Sequence, residues 1–316
     1  MNDMKTKHVF ITGASGCVGH YLIQECLNLP NLHVHVLVRY PEKLKFSDED
    51  FKRITVHIGD FKQIEKFESV VKKMNFLIHG VTEWWGEEQT HLVNVTKTRE
   101  FFMMIDPAIC EQIVYFSTAS VLGKGNKVVK EAKLFGSSYI RSKYNAYHMI
   151  QEIPIKDKIT VMFPTMVFGG NNLFPKSHIT KGVSQAFSYL KYLRFIHVDG
   201  AFHFIHSADI AKMSVYFMLN PKKYREYVLG NFSVSVKDAL KVLYTQFNMK
   251  PLFRIHVKKW FLNVLTVVFR IKVGPWEKYC MDNSYMIFDA VNPKTFGLKG
   301  EFETLDSLIE DIKSFK

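Results

Sequence analysis

The chain has 316 residues and a mass of 36.8 kDa, 47% of it apolar and 23% charged, which is enough for one large core or two lobes sharing one. Disorder and a small disulfide-stapled scaffold are excluded. Lysine and arginine (42) exceed aspartate and glutamate (30) by 12, and the isoelectric point is near 9.3; that balance permits nucleic acid, an anionic membrane or a phosphorylated ligand and selects none of them.

The start of the chain, through Lys7, is polar and runs straight into an apolar segment, without the apolar stretch and cleavage site of a signal peptide, so no export is expected. Short β-branched runs then alternate with helical spacing. Strands are predicted at Val9 to Thr12, His33 to Val38, Ile54 to Ile58, Phe76 to His79, Ile113 to Ser117 and Ile159 to Phe163. Helices are predicted at Cys17 to Leu29 and Gln89 to Ile105, and beyond residue 170 at Ala208 to Leu219, Val236 to Phe247 and Leu305 to Phe315. This is the pattern of βαβ units, so the expected fold is α/β, a Rossmann-type doubly wound parallel sheet. Residues 1–170 are assigned to a dinucleotide-binding domain that takes back a strand or helix from about 205–230. Residues 171–316 are assigned mainly to a smaller, partly interleaved substrate lobe. Four scattered cysteines (Cys17, Cys26, Cys110, Cys280) form no C-x-x-C pair, which suggests neither a metal site nor disulfides, and a cytoplasmic location is expected.

The first chemical signal is Gly13-Ala-Ser15-Gly16-Cys17-Val18-Gly19, placed between a strand and a helix. With 17 glycines in 316 residues, this triple spacing arises by chance only about 0.05 times per chain. Gly13 permits the turn, Gly16 lets a pyrophosphate approach the backbone, and Gly19 lets the helix pack closely. Arg39 follows the second strand where an NAD-binding fold usually carries an acid, which favours NADP(H) over NAD(H). Asp60-Phe61 after the third strand is a candidate adenine contact, with Asp60 as a plain helix cap the alternative. Tyr139 and Lys143 stand four apart on one helix face, and this is the only tyrosine with lysine four residues on.

These residues recur in the order of a known family. The chain resembles the extended short-chain dehydrogenase/reductases of the NAD-dependent epimerase/dehydratase superfamily. The matching positions are Thr12 to Gly19, Gly59-Asp60, Ile78-His79-Gly80-Val81-Thr82, Asn94, Ser117-Thr118-Ala119-Ser120, Tyr139 with Lys143, and Phe163-Pro164-Thr165-Met166-Val167-Phe168-Gly169. The resemblance implies that Lys143 binds the nicotinamide ribose and lowers the pKa of Tyr139, the proton carrier. It implies further that Thr118, or its neighbour Ser117, bonds the reacting oxygen, and that Asn94 supports the lysine through backbone and water. Gly80, Val81, Thr82, Pro164 and Val167 join the implied cofactor contacts.

The chain also departs from the pattern. Lys97 replaces a packing glycine, and Ala119 and Ser120 stand where sugar-nucleotide dehydratases carry an acid pair. Arg39 and the Phe163-Pro164 segment look more like the dihydroflavonol reductase and 3β-hydroxysteroid dehydrogenase branch. That branch implies carbonyl–alcohol interconversion on a bulky, fairly apolar small molecule, with Glu83-Trp84-Trp85 a candidate wall. The alternatives are a nucleotide-sugar epimerase, with Arg194, Arg225 or Arg254 clamping a pyrophosphate, and a non-catalytic NADP(H)-binding sensor. No nucleic-acid partner is expected. The basic aromatic run Lys258 to Lys272 is read as a buried helix or homodimer face in preference to a membrane contact, its apolar Trp260 to Phe269 being far shorter than the ~20 residues of a span. His203 and His206 are read as structural, and Ser207 and Asp209 as helix caps.

Overall fold

The computed structural model describes residues 6–190, 196–197, 199–249, 255–256 and 274–314. Arg194, Arg254 and the segment 258–272 lie outside the described residues. Eight strands form one wholly parallel sheet: β1 Lys7–Thr12, β2 Leu32–Val38, β3 Ile54–Ile58, β4 Phe76–His79, β5 Gln112–Phe116, β6 Ile159–Pro164, β7 Arg225–Leu229 and β8 Ala290–Val291. Their order is β8-β7-β6-β5-β4-β1-β2-β3, so the chain runs outward from β1 to β3 and returns to β4 on the other side of β1. The crevice at the carboxyl ends of β1 and β4 is therefore the switch point where such sheets bind ligands.

Both faces of the sheet are covered, because the strands are apolar at consecutive positions and not only at alternate ones. Val9 and Ile11 face one side with Leu22, Ile23 and Cys26 of α1 (Cys17–Leu27), while Phe10 faces the other with Phe101 and Phe102. α1 ends two residues before its predicted end because Pro30 follows, and the residue before a proline avoids helical geometry. Next comes one continuous rod, α2, made of Glu87–His91, Leu92–Lys97 and Thr98–Met103, whose middle six residues are π-helical. The Thr98 hydroxyl donates to the carbonyl of Val93, five residues back, which supports that widened turn. Lys97, in place of the expected glycine, turns away from the sheet and pairs with Glu65 at 3.0 Å and Glu100 at 2.6 Å.

α3 (Ser138–Glu152) packs beside α2 on the same face, while α5 (Ser207–Leu219) packs against α1 on the opposite one. Between them in sequence lies α4 (His178–Ala186). α6 (Val236–Gln246), α7 (Pro275–Asp282) and α8 (Leu305–Ser314) complete the longer helices, and Ala239 of α6 meets Leu308, Ile309 and Ile312 of α8 in a third, smaller cluster. Two strands reach the sheet from beyond residue 170. β7 falls within the returned segment expected from the sequence, but β8 was assigned to the substrate lobe and instead forms the sheet edge. Two residues long and without an apolar run, it gives no periodic signal.

Asp209 is not a helix cap. The cap of α5 is His206, whose Nδ1 accepts from the Ala208 N–H, while the buried Asp209 carboxylate accepts from the backbone N–H groups of Glu301 and Phe302. Ser207 donates to the Phe168 carbonyl. These two side chains fasten a later segment and a neighbouring strand to α5, a tertiary use that local spacing does not reveal.

Candidate active site

The turn after β1 is closed by glycines that admit nothing larger. Gly13 has φ of +76°, and a Cβ there would sit 2.7 Å from the Gly80 carbonyl carbon; one on Gly19 would sit 2.3 Å from the Gly13 oxygen. Thr12 braces the turn from below. Its hydroxyl bonds His79 Nδ1 at 2.9 Å and accepts the Gly80 N–H at 3.2 Å, while His79 Nε2 meets Thr98 at 3.0 Å. Because the Thr98 hydroxyl is committed as a donor to Val93, His79 donates from Nε2 and accepts at Nδ1. Burial holds it well below the usual histidine range, so it stays neutral.

Above this turn opens a cleft of about 670 Å³. From the cofactor side it is lined by Gly13, Ser15, Gly16, Cys17, Val18, Gly19, Arg39, Gly80, Val81, Thr82, Pro164 and Val167, each a residue singled out in the sequence. Thr118, Tyr139 and Lys143 line it as well. No side chain caps the amino end of α1, which leaves its first N–H groups free for an anion.

Four sequence candidates lie elsewhere. Asp60 accepts the Lys62 N–H at 2.9 Å as a helix cap and stands 3.9 Å from Arg39 Nη1, both side chains well exposed. Phe61 is buried against His79 and Phe101, so its ring belongs to the core and only its backbone could meet an adenine. Asn94 is turned toward neither Lys143 nor the cleft. Its Nδ2 donates to Ser142 Oγ at 2.8 Å and Glu83 O at 2.9 Å, and its Oδ1 accepts from the Glu83 N–H at 2.8 Å and the Thr82 hydroxyl at 3.1 Å. It thereby staples the segment after β4 to α3. Arg225 opens β7 opposite Thr160, at the amino end of the sheet and so away from the cleft.

A profile of the NAD dependent epimerase/dehydratase family matches residues 9–230. The chain belongs to that family. No curated protein matches it by sequence. Among solved structures it is similar to WbmG of Bordetella bronchiseptica in complex with NAD (14% identity, 100% of this chain and 96% of that one, TM-score 0.68). It is similar also to the UDP-N-acetylglucosamine 4-epimerase of Methanobrevibacter ruminantium M1 in complex with UDP-N-acetylmuramic acid (14% identity, 99% of each chain, TM-score 0.68). The terminal R domain of the myxalamid PKS-NRPS pathway is a third likeness (15% identity, 99% and 91%, TM-score 0.72). At these identities the likeness speaks for the fold alone.

An NAD(P) cofactor is expected of an epimerase/dehydratase-family chain, and the residues present fit one. The glycine cradle, the free amino end of α1 and a described lining with Arg39 and Lys143 but no acid all suit a dinucleotide's phosphates. The family's Tyr/Lys pair is in place on the first two turns of α3. Lys143 is 3% exposed, and its Nζ donates to the Phe116 carbonyl at 2.8 Å and lies 5.1 Å from the centre of the Tyr115 ring. Burial lowers its pKa to about 7. The Tyr139 pKa moves opposite to the expectation: burial pushes the phenol up to about 12, and a hydrogen bond with Thr118 offsets part of the rise. The Lys143 ammonium is turned to the Phe116 carbonyl, and burial is the larger effect on the phenol.

The sequence offers Trp84 as part of the far wall but does not single out its other members. Met166, His178, Ile179, Phe202, His203, Met286 and Phe288 all line the cleft. His203 has a fixed tautomer: Nδ1 donates to the Asn231 carbonyl at 2.7 Å and Nε2 accepts the Phe288 N–H at 3.0 Å, so it positions Phe288 and has no free nitrogen for proton transfer. Apart from Met166, which lies in the Phe163 to Gly169 motif, these residues come from segments without a family motif, and only the tertiary fold gathers them. Among the described residues, no group of three or more His, Cys, Asp or Glu could hold a metal ion, and no helix is long and apolar enough to cross a membrane.

Proposed function

We propose that this protein is an NADP(H)-dependent oxidoreductase that interconverts a carbonyl and an alcohol on a bulky, uncharged, largely apolar small molecule. The observation that carries the reading is the composition of the far wall. Trp84, Met166, Ile179, Phe202, Met286 and Phe288 are apolar, and among the described lining residues the cations, Arg39 and Lys143, both stand on the dinucleotide side. A nucleotide sugar brings a diphosphate that would find no charged partner among the described residues of that wall, and burying it unpaired carries a substantial cost.

The bound dinucleotide supplies or accepts the hydride. The chain's own residues do the rest. Lys143, with two N–H donors left after its bond to Phe116, holds the nicotinamide ribose. Tyr139, kept protonated by burial, gives its phenolic proton to the carbonyl oxygen as that oxygen gains charge, and Thr118 donates a hydrogen bond to the same atom. The apolar wall keeps water from the reacting carbon. Arg39, at the cofactor edge with only a long contact to Asp60, is free to take a 2′-phosphate. Membership of the dihydroflavonol reductase and 3β-hydroxysteroid dehydrogenase branch, a substrate lobe made mainly by the part of 171–316 outside β7 and β8, a cytoplasmic location and a homodimer all belong to the same reading.

The second reading, a nucleotide-sugar epimerase, draws on the same Tyr139/Lys143 pair and on the fold likeness to a 4-epimerase. Screening aldehydes, ketones and nucleotide sugars against both cofactors separates the two. Net NADPH consumption with apolar carbonyls supports the oxidoreductase. Conversion of a nucleotide sugar with no net cofactor turnover contradicts it.

A further inference from the structure

The indole of Trp84 lies flat on the ring of Tyr139, with centroids 4.1 Å apart and planes 23° from parallel. The edge of His178 closes on the indole from the other side of the cleft at 5.4 Å. Trp84 is 40% exposed and Trp85 80%, and of the two only Trp84 lines the cleft, with one indole face laid on the phenol.

A circuit of hydrogen bonds fixes this stack. Ser142 Oγ donates to the Tyr139 carbonyl at 2.7 Å, Asn94 Nδ2 donates to Ser142, and Asn94 grips Glu83 through both its N–H and its carbonyl. The Trp84 N–H then donates to Glu83 Oε1 at 3.0 Å. The backbone that carries the indole is thus tied, through Asn94, to the helix that carries the phenol.

We propose that Trp84 is a positioning residue for Tyr139: the Asn94 circuit ties its backbone to α3, and the indole stacked on the phenol shields that face from water and fixes the phenol's direction into the cleft. The inference rests on the proton-transfer role of Tyr139 proposed above. It also explains why the phenol is pushed upward although it borders an open cleft: one of its faces is covered by an apolar ring. The groups that face Tyr139 are Thr118 and Tyr115 from the end of β5 and Lys143 from the next turn of α3, with Glu83 and His178 beside the indole. Lys143 is turned to Phe116, and Glu83 is turned to the Trp84 N–H.

The test places 3-fluorotyrosine at position 139, which titrates at lower pH than tyrosine, and reads its ionisation by fluorine NMR in the full chain without substrate. Trp84→Ala should lower the midpoint by at least about one pH unit as water reaches the phenolate, and Trp84→Phe, which keeps a flat ring, should leave it within a few tenths. In turnover with an apolar carbonyl, Trp84→Ala should lower kcat about tenfold or more and move the alkaline limb to lower pH, with Trp84→Phe restoring both. An unmoved midpoint in Trp84→Ala, with the loss confined to KM, would overturn the proposal and leave Trp84 as a wall only. Wild-type turnover by Tyr139→Phe would instead remove the catalytic role of Tyr139 while the midpoint shift stood, so the two failures are distinct.

Discussion

Lys143 Nζ and the carbonyl oxygen of Phe116 form a 2.8 Å hydrogen bond inside the protein, and among the described residues the ammonium has no ion-pair partner. A buried lysine without an anion is a strained charge, and its pKa falls to about 7 against an ordinary value of 10.5. Between those two values the unfolded chain binds more protons than the folded one, so stability rises with pH across that window. The slope is at most about 1.4 kcal/mol per pH unit. Thermal unfolding of the cofactor-stripped protein should show this rise from about pH 7 to about pH 8.5, below the range where the buried thiols of Cys17, Cys26 and Cys110 give the opposite slope, and Lys143→Met should abolish it while stabilising the protein below pH 7. An unchanged pH profile in the variant would place the slope in other groups.

Tyr139→Phe removes a hydroxyl and little else. Turnover is expected to fall by about 10² to 10⁴, with cofactor affinity within about twofold of wild type. Steady-state kinetics and cofactor titration check the two halves separately.

Asn94→Ala takes away four hydrogen bonds at once and strands the Glu83 N–H and carbonyl beside α2. A loss of about 1 to 3 kcal/mol in urea unfolding is expected, with turnover falling by more than cofactor affinity does. A variant as stable and as active as wild type would deny the staple its importance.

Much of this site was legible in the sequence because it is local. The turn from Gly13 to Gly19 needs glycine for steric reasons that leave a spacing, and Tyr139 and Lys143 share a helix face because four residues make about one turn. The alternating apolar runs of β1 to β6 likewise gave the parallel sheet. What could not be read depends on contacts distant in the chain. The use of Asp209 is visible only once residues 301 and 302 arrive beside α5, and the role of Asn94 depends on Ser142 lying across from α2. A ring at a strand end can face either core or cleft, and the short turn at Asp60 sends that of Phe61 inward, leaving its backbone for an adenine. The fall in the Lys143 pKa and the rise in that of Tyr139 were hidden for the same reason, since both come from burial.

On the NADP(H) reading proposed above, Arg39 is the residue that sets the cofactor preference. A charge-assisted contact to a 2′-phosphate contributes about 1.5 to 3 kcal/mol, so NADPH should bind at least about tenfold tighter than NADH, and Arg39→Ala should erase most of that difference. Equal weakening of both cofactors would mean that the guanidinium stacks on adenine instead. A wild type preferring NADH would shift weight to the epimerase.

The most direct test of the oxidoreductase reading follows the hydrogen itself. The protein is incubated with NADPH carrying deuterium at the transferable C4 position and with an apolar ketone or aldehyde, and the product is analysed by mass spectrometry. The account predicts an alcohol one deuterium heavier, formed in equal amount to the NADP⁺ released and suppressed about 10² to 10⁴-fold in Tyr139→Phe. An epimerase returns the substrate's own hydride and takes none from added cofactor. Unlabelled, epimerised nucleotide sugar, with the deuterated NADPH left intact in every carbonyl reaction, would contradict the account.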